Sequence, residues 1–297
     1  MEDNKSSLQQ QLLEAGVHFG HLKKKWNPKM LPYIFAEKKG IHIIDLNKTA
    51  EGLQEAAAAL KSIAKSGKKI MFVATKKQAK EIVSDAAKRV NMPFVTERWL
   101  GGMLTNFSTI RKSVKKMQSI EKMLNDGTFD NITKKERLTL QRDKDKMEKV
   151  LGGIAQLARV PAALFLVDIS HEYIALAEAR RLGINTFGMV DTNSDPTKVD
   201  FAIPSNDDAS KSVAIITNYI TAAIAEGLEE RASEKAEDVV EEDEIEKEKR
   251  ARRLEMEAEA EDKSGVKRAR GASGHAGQPK RRIPAGGSGG RRPAQKR

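Results

Sequence analysis

Short apolar runs of strand length recur along the first two thirds of the chain, separated by stretches with helical periodicity. Because these runs are nearly continuous rather than alternating, they are typical of parallel strands buried on both faces. The predicted strands cover residues 41–46, 69–74, 93–96, 163–168, 185–190 and 201–203. Alternating strands and helices predict an α/β domain with a mainly parallel sheet.

The helices predicted between these strands carry one apolar face, and two of them end at glycine. The first helix turns four residues inward: Leu53, Ala57, Leu60 and Ile63. The second does the same with Ile82, Val83, Ala86 and Val90. Gly67 ends the first helix and Gly183 ends the helix after residue 168, since glycine tolerates the left-handed conformation of a helix terminus.

Residues 106–151 interrupt this alternation, because they contain no strand and have the pattern of two long helices. Apolar residues recur at coiled-coil spacing: Ile110, Val114, Met117, Ile120 and Leu124 in the first helix, and Leu140, Met147, Leu151 and Ile154 in the second. A turn at 125–128 and a capping box at 133–136 separate the helices. The pattern predicts an antiparallel hairpin roughly 25–28 Å long. Its outer faces carry Arg111, Lys112, Lys115, Lys116, Lys122, Lys134, Lys135 and Arg137.

Composition indicates a polyanionic partner. The 297 residues hold 53 Lys plus Arg against 42 Asp plus Glu, a net charge of +11, and so basic a chain is expected to bind polyanions. The absence of cysteine excludes disulfides and thiolate zinc sites and agrees with a reducing cytoplasm. No apolar stretch approaches the ~18 residues of a membrane span, so we expect an intracellular protein without a membrane partner.

A nucleotide-dependent enzyme is disfavoured, because the turns after the first two strands lack the glycines that cradle phosphates. Five aspartates nevertheless follow predicted strands: Asp168, Asp191, Asp195, Asp207 and Asp208. Magnesium-dependent phosphoryl transfer on Asp168, Asp191 and Asp195 is therefore the alternative hypothesis, although helix caps and turns explain these residues more simply.

The histidines are His18, His21, His42, His171 and His275, and none lies in a nucleophile motif. A His-x-x-His without thiols or a nearby Glu is weak evidence for metal. We therefore expect no catalytic residues, cofactor or metal.

Two segments interleave rings with cations, as RNA-binding loops do. Residues 16–40 combine Phe19, Trp26, Tyr33 and Phe35 with six lysines, and residues 96–107 place Arg98 and Trp99 before a Gly-Gly pair. The structural alternative, anchoring of loops to the core, accounts for Trp26 and Trp99 but not for the lysines.

The C-terminal residues divide into two blocks of opposite charge. Residues 1–228 carry +9, residues 229–262 carry −9, and residues 263–297 carry +11. The acidic block is predicted to be a solvated helix, and the Arg/Gly-rich block to be disordered when free. The basic block is interpreted as an RNA-contacting arm, with a solubilising tail as the alternative.

Several motifs resemble, in the same order, the bacterial ribosomal protein S-two family, whose members are the second protein of the small ribosomal subunit. They include GVHFGH, KWNPKM, GIHIIDL, FVATKKQA, RWLGGMLTNF, DGTF, TKKE, VDTNSDP and NDDA, between about residues 8 and 227. The resemblance implies a flavodoxin-like parallel sheet with flanking helices, an inserted antiparallel coiled-coil helical hairpin and no catalysis. It also implies a cytoplasmic ribosomal protein, not a homo-oligomer, that binds small-subunit ribosomal RNA at the head–body junction and helps to recruit ribosomal protein S-one.

Carried over by resemblance, the RNA contacts fall at Lys23, Lys24, Lys25, Trp26, Asn27, Lys29, Arg98, Thr105 and Asn106. Arg111 and Lys115 of the hairpin are weaker assignments, and Arg268, Arg270, Arg281 and Arg282 are tentative candidates in the tail. Many family members stop shortly after the position of Gly227. The expected organisation is an RNA-contact segment (1–40), a sheet domain (41–105 and 155–228), the hairpin (106–154), an acidic extension (229–262) and a basic tail (263–297).

Overall fold

The computed structural model describes residues 2–125 and 133–270 of the chain. The strands are β1 (Phe19–Leu22), β2 (Ile34–Lys38), β3 (Ile41–Ile44), β4 (Ile70–Val73), β5 (Phe94–Val95), β6 (Ala163–Val167), β7 (Asn185–Val190) and β8 (Phe201–Pro204). The α-helices are α1 (Glu2–Glu14), α2 (Leu46–Lys65), α3 (Lys80–Arg89), α4 (Phe107–Asn125), α5 (Lys134–Leu151), α6 (Tyr173–Leu182) and α7 (Ser210–Arg270). The turn predicted after Asn125 lies outside the described residues.

Five strands form the predicted parallel sheet, in the order β5-β4-β6-β7-β8. The register places Phe72 beside Phe165, and Phe165 beside Phe187. Counted along the chain, this order is 2-1-3-4-5, the doubly wound order of flavodoxin-like folds. The point where the order reverses lies between β4 and β6, and the carboxyl ends of all five strands share one edge of the sheet.

Both faces of the sheet are covered, which explains why its strands are continuously apolar. Alternate residues of β4 point to opposite faces, so Ile70 and Phe72 pack with α2, α3 and α7, whereas Met71 and Val73 pack with α6 and the lower part of α4. The predicted helix ends are confirmed by left-handed glycines: Gly67 has φ +75° and Gly183 has φ +66°.

The prediction that residues 41–46 form a strand of the parallel sheet is wrong. Residues Ile41–Ile44 form β3, the middle strand of a separate antiparallel sheet with the order β1-β3-β2. Lys39 and Gly40, with φ +53° and +75°, join β2 to β3 in a two-residue hairpin turn. A short apolar strand has the same residue pattern in either kind of sheet, and this turn is what distinguishes them.

The basic segment before this hairpin contains regular structure. Residues Lys23–Lys25 and Pro28–Tyr33 form short 3-10 helices. Asn27 caps the second one, because its side-chain oxygen accepts a hydrogen bond from the Lys29 amide at 3.0 Å. Met30 is fully buried in the same core cluster as Trp99. The segment is therefore a structured layer on the domain.

Helices α4 and α5 lie where the sequence predicted two long helices. Val114, Met117 and Ile120 of the predicted seam are buried, and Lys144 Nζ of α5 lies 3.5 Å from Glu121 Oε1 of α4. Thr133 Oγ1 accepts a 3.4 Å hydrogen bond from the Glu136 amide, which is one half of the predicted capping box.

The chain divides into two compact units, residues 1–236 and 237–297. In the first unit, α7 begins with Val213, Ile216, Ile220 and Ile224 fully buried. The helix continues to Arg270, so residues 263–270 are helical where disorder was predicted. No helix within the described ranges has the length and apolar character needed to cross a bilayer.

Candidate nucleic-acid interface

The basic segment 16–40 is fixed to the carboxyl edge of the parallel sheet by backbone hydrogen bonds. The Asn27 amide donates to the Thr192 carbonyl at 2.7 Å, and the His21 amide donates to Thr192 Oγ1 at 2.8 Å. Thr192 is the second residue after β7, in the VDTNSDP motif. A Cβ at Gly20 would lie 2.6 Å from Thr192 Cγ2, so the approach requires glycine.

The lysines of this segment divide into paired and unpaired groups. Lys23 Nζ lies 2.7 Å from Glu37 Oε2, and Lys29 Nζ lies 2.7 Å from Asp195 Oδ2. Burial raises the pKa of Asp195, but hydrogen bonds from Lys29 and Thr197 outweigh it and lower the value to about 2. Exposed Lys24 and Lys25 have no ion pair within the described part of the chain. Their charges, like those of exposed Lys38 and Lys39, remain available to an external anion.

Trp26 and Asn27 fulfil structural roles in the segment. The Trp26 ring is half-buried, with its centroid 5.2 Å from that of His42, and Asn27 is occupied as a helix cap. Both residues therefore help to anchor the segment, and for Trp26 this agrees with the alternative that its ring anchors a loop to the core.

The second predicted segment is organised by a carboxylate that sequence reasoning missed. Glu178, on α6 and only 8% exposed, accepts hydrogen bonds from Trp99 Nε1 (3.1 Å), the Gly102 amide (2.7 Å) and the Leu104 amide (2.9 Å). Its Oε2 also accepts from the amide and hydroxyl of Thr105, at 3.0 and 3.1 Å. Burial raises the pKa of Glu178, yet these donors lower it below its ordinary value overall.

This carboxylate fixes the backbone that carries the predicted contacts of the loop. Trp99 is 7% exposed, which confirms core anchoring. Arg98 and Asn106, at the two ends of the loop, are exposed, and Arg98 has no ion pair among the described residues. Thr105 is exposed as well, but its hydroxyl already donates to Glu178.

The remaining candidates lie on helices. Arg111 and Lys115 are exposed near the start of α4, and no carboxylate of the described chain pairs with them. Arg268 and Arg270 lie in the last turns of α7, where the structure describes the helix but not these side chains. Arg281 and Arg282 lie outside the described residues.

The sheet edge where doubly wound folds bind nucleotides is occupied by internal ion pairs. Lys76, after β4, lies 3.2 Å from Asp168, 2.8 Å from Asp207 and 2.6 Å from Asp208. Burial opposes its charge, but the hydrogen bonds to Asp207 and Asp208 raise the pKa of Lys76 well above its ordinary value. Glu172 accepts from the Thr75 amide at 2.7 Å in the same crevice. Carboxylates in this position disfavour a bound phosphate.

The aspartates of the alternative enzyme hypothesis serve separate purposes. Asp168 Oδ1 accepts from the Ser170 and His171 amides at the turn before α6. Asp195 caps a 3-10 helix at the Thr197 amide, and Asp191 lies 2.8 Å from His21. They do not form a three-ligand set among the described residues.

A different group has the ligand chemistry of a metal site: His21, Asp191 and Asp207 offer ligand atoms within 4.8 Å of one another. Both carboxylates are nearly inaccessible, and Asp207 Oδ2 accepts no hydrogen bond. Burial, then the charges of Asp168 and Asp191, raise the pKa of Asp207 to about 7. The hydrogen bond to Asp191 raises the pKa of His21. One His and two carboxylates are ligand types that Zn²⁺ accepts.

Sequence reasoning missed this group because His21 lies 170 residues from Asp191 and 186 residues from Asp207 along the chain. A usable signal existed, since VDTNSDP and NDDA both follow predicted strands of one parallel sheet. Their carboxylates therefore had to meet at the same edge.

Fold and site together define a doubly wound α/β protein. Internal ion pairs of Lys76 fill the crevice where such folds bind nucleotides, and exposed lysine and arginine side chains lie near the same edge of the sheet. The family model described as "Ribosomal protein S2" matches residues 12–227. The "Small ribosomal subunit protein uS2" of Cytophaga hutchinsonii is 64% identical over 233 residues, covering 78% of this chain and 92% of that protein. That of Flavobacterium johnsoniae is 61% identical over 232 residues, with 78% and 91% covered.

The chain belongs to the ribosomal protein S2 family. It is a structural constituent of the small ribosomal subunit and not an enzyme, so the phosphoryl-transfer hypothesis is wrong. The predicted assignment to the cytoplasmic ribosome is confirmed by this membership.

Proposed function

We propose that the carboxyl edge of the sheet binds small-subunit ribosomal RNA. The observation that carries this proposal is the selective pairing of cations: Lys23 and Lys29 form ion pairs with carboxylates, whereas the exposed Lys24, Lys25 and Arg98 form none in the described chain. Lys25 is near enough to Asp208 to help lower the pKa of that carboxyl, but the two side chains do not form an ion pair. Unpaired cations on a fixed backbone release counterions from RNA without first breaking an internal ion pair.

The fixed geometry of these cations favours recognition of RNA shape rather than base sequence. Lys24 and Lys25 belong to a 3-10 helix that Asn27 and Thr192 hold to β7, and Arg98 precedes a loop held by Glu178. Phosphate contacts from such a surface fix orientation on a folded RNA. The roles of Trp26, Asn27, Thr105 and Asn106 as direct contacts belong to the same proposal.

We further propose that α4 and α5 form the predicted coiled-coil hairpin and extend the RNA-binding surface. The buried seam residues Val114, Met117 and Ile120 and the Glu121–Lys144 ion pair support contact between the helices. Arg111 and Lys115 then lie on the outside of the hairpin, available to phosphate.

Location at the head–body junction and recruitment of ribosomal protein S-one are proposed on the family resemblance. If the protein recruits S-one, small subunits purified from cells depleted of this chain should lack S-one while retaining their other proteins. Subunits that keep their full complement of S-one would contradict this part of the proposal.

RNA binding is tested with the full chain and a small-subunit ribosomal RNA transcript at several salt concentrations. We expect Lys24→Gln combined with Lys25→Gln to weaken binding roughly tenfold and to reduce the salt slope by about two. The matched control is Lys68→Gln with Arg181→Gln, which removes two exposed, unpaired charges near the opposite edge of the sheet. Equal losses in both double variants would show that net charge alone governs binding and would refute a defined interface.

A further inference from the structure

A cleft of about 560 Å³ lies beside the first two turns of α4. Its lining combines an apolar wall with a group of cations, and it consists of Phe107, Ser108, Arg111, Lys112, Lys115, Ala158, Arg159 and Val160. No carboxylate lines it, and its volume falls within the range of small-ligand sites.

The apolar wall comes from two separate parts of the chain. Phe107 is half-buried and packs against the core that contains Trp99 and Leu104, so only part of its ring faces outward. Val160, in the loop before β6, is 40% exposed. An exposed apolar surface with a fixed aromatic ring is suited to a planar group that stacks or packs on it.

The cations around this wall are all exposed and unpaired. Neither Arg111, Lys112 nor Lys115 of α4, nor Arg159 of the facing loop, forms an ion pair within the described ranges. Lysines elsewhere on the domain, such as Lys61 and Lys65, are paired with Glu226, Glu230 or Glu234. The first turn of α4 also lacks an acidic side chain, so the helix dipole adds to the positive potential.

We propose that this cleft accepts one unpaired nucleotide of ribosomal RNA, with the base against Phe107 and Val160 and the flanking phosphates on Arg111, Lys115 and Arg159. The proposal rests on the RNA-binding function proposed above and assigns a further subsite to it. An acidic peptide would pair its carboxylates with the cations but would leave the apolar wall uncovered. An unstacked nucleotide places phosphates on the cations and its base on the apolar wall.

The test compares the full-length wild-type protein and its variants on the small-subunit ribosomal RNA transcript, with base reactivity to dimethyl sulfate and backbone cleavage by hydroxyl radicals as readouts. Phe107→Leu keeps an apolar side chain for the core but removes the aromatic face. We expect it to weaken binding about five- to tenfold and to restore the reactivity of one or two unpaired bases, while the backbone footprint persists.

Val160→Ser is the second variant, because Val160 lies in an exposed loop and its substitution leaves the core intact. It is expected to expose the same bases. Arg111→Gln combined with Lys115→Gln should instead lower the salt slope by about two. The control is Leu138→Ser, which removes an exposed apolar side chain of α5 that does not line the cleft, and it should leave every base protected.

The outcomes distinguish the nucleotide subsite from the RNA-binding function on which it rests. If Phe107→Leu and Val160→Ser both leave affinity and base reactivity at wild-type levels on an RNA that the wild type binds, the nucleotide subsite is refuted while RNA binding stands. If both variants bind RNA normally but fail to enter reconstituted subunits, the occupant is a protein segment, which also overturns the subsite. Failure of the wild type to bind the transcript overturns both proposals.

Discussion

Replacement of Glu178 on α6 is predicted to destabilise the 98–106 loop and, with it, the fold. The carboxylate accepts five hydrogen bonds from Trp99, Gly102, Leu104 and Thr105. Glu178→Ala leaves these donors without their acceptor, and two of them, Trp99 Nε1 and the Leu104 amide, are buried.

The size of the effect follows from these two donors. A buried donor left unsatisfied costs about 1–3 kcal/mol, so we expect Glu178→Ala to lower the free energy of unfolding by about 3–5 kcal/mol. Glu178→Gln should cost about 2–3 kcal/mol. Its NH₂ group has to face either the two donors at Oε1 or the three at Oε2, and it cannot accept from them.

Urea unfolding followed by circular dichroism measures the free energy of unfolding. Because the chain has two tryptophans, fluorescence in a Trp26→Phe background reports Trp99 and its loop. Because the pKa of Glu178 is lowered in the folded state, its contribution is present above the ordinary glutamate pKa and is lost as the pH falls through the folded value. Variants within ~0.5 kcal/mol of wild type, or unchanged Trp99 fluorescence, would show that Glu178 does not organise this loop.

Three further changes test other parts of the structure. The folded pKa of Asp207 is raised to about 7, so the folded state binds more protons than the unfolded state between about pH 4 and 7. The free energy of unfolding should therefore fall with rising pH in this range, by at most about 1.4 kcal/mol per pH unit. Asp207→Asn should flatten this pH profile, and an unchanged slope in chemical denaturation would contradict the raised pKa of Asp207. In differential scanning calorimetry, Zn²⁺ should raise the thermal midpoint of the wild type but not that of His21→Ala. Equal shifts of the midpoint in the two proteins would show that His21, Asp191 and Asp207 do not bind the ion. Gly153→Ala should destabilise by about 1–3 kcal/mol, because its Cβ would lie 2.1 Å from the Phe94 carbonyl oxygen. Gly152→Ala, whose nearest neighbour is at 3.6 Å, is the control, and equal urea midpoints for the two variants would refute this steric argument.

The parallel sheet was predictable because burial on both faces favours continuous apolar runs, as in Ile70–Val73 and Ala163–Val167. The same reasoning failed for Ile41–Ile44, since a strand of four apolar residues does not reveal its pairing direction. Lys39 and Gly40 adopt the positive φ values that set the hairpin, and the glycine directly before the apolar run is the local sequence feature that fits such a turn.

The cationic segments of the interface were predictable, but the contacts that fix them were not. Which lysines are paired depends on Glu37 and Asp195, whose positions follow from tertiary structure. Glu178 lies on a helix more than 70 residues from the loop that it holds. Glu178 lies on the same face of α6 as Ala175 and Ala179, which are both fully buried. A charged residue on the apolar face of a predicted helix is a sequence signal for a buried hydrogen-bond acceptor.

Competitive reconstitution tests most directly whether the unpaired cations at the sheet edge secure this protein on its RNA. Equal amounts of wild type and a triple variant, Lys24→Gln, Lys25→Gln and Arg98→Gln, are offered to small-subunit ribosomal RNA with the other subunit proteins, and mass spectrometry measures their ratio in the purified particles. The structure predicts at least about tenfold enrichment of the wild type at physiological salt. Incorporation of the two proteins in equal amounts would contradict it.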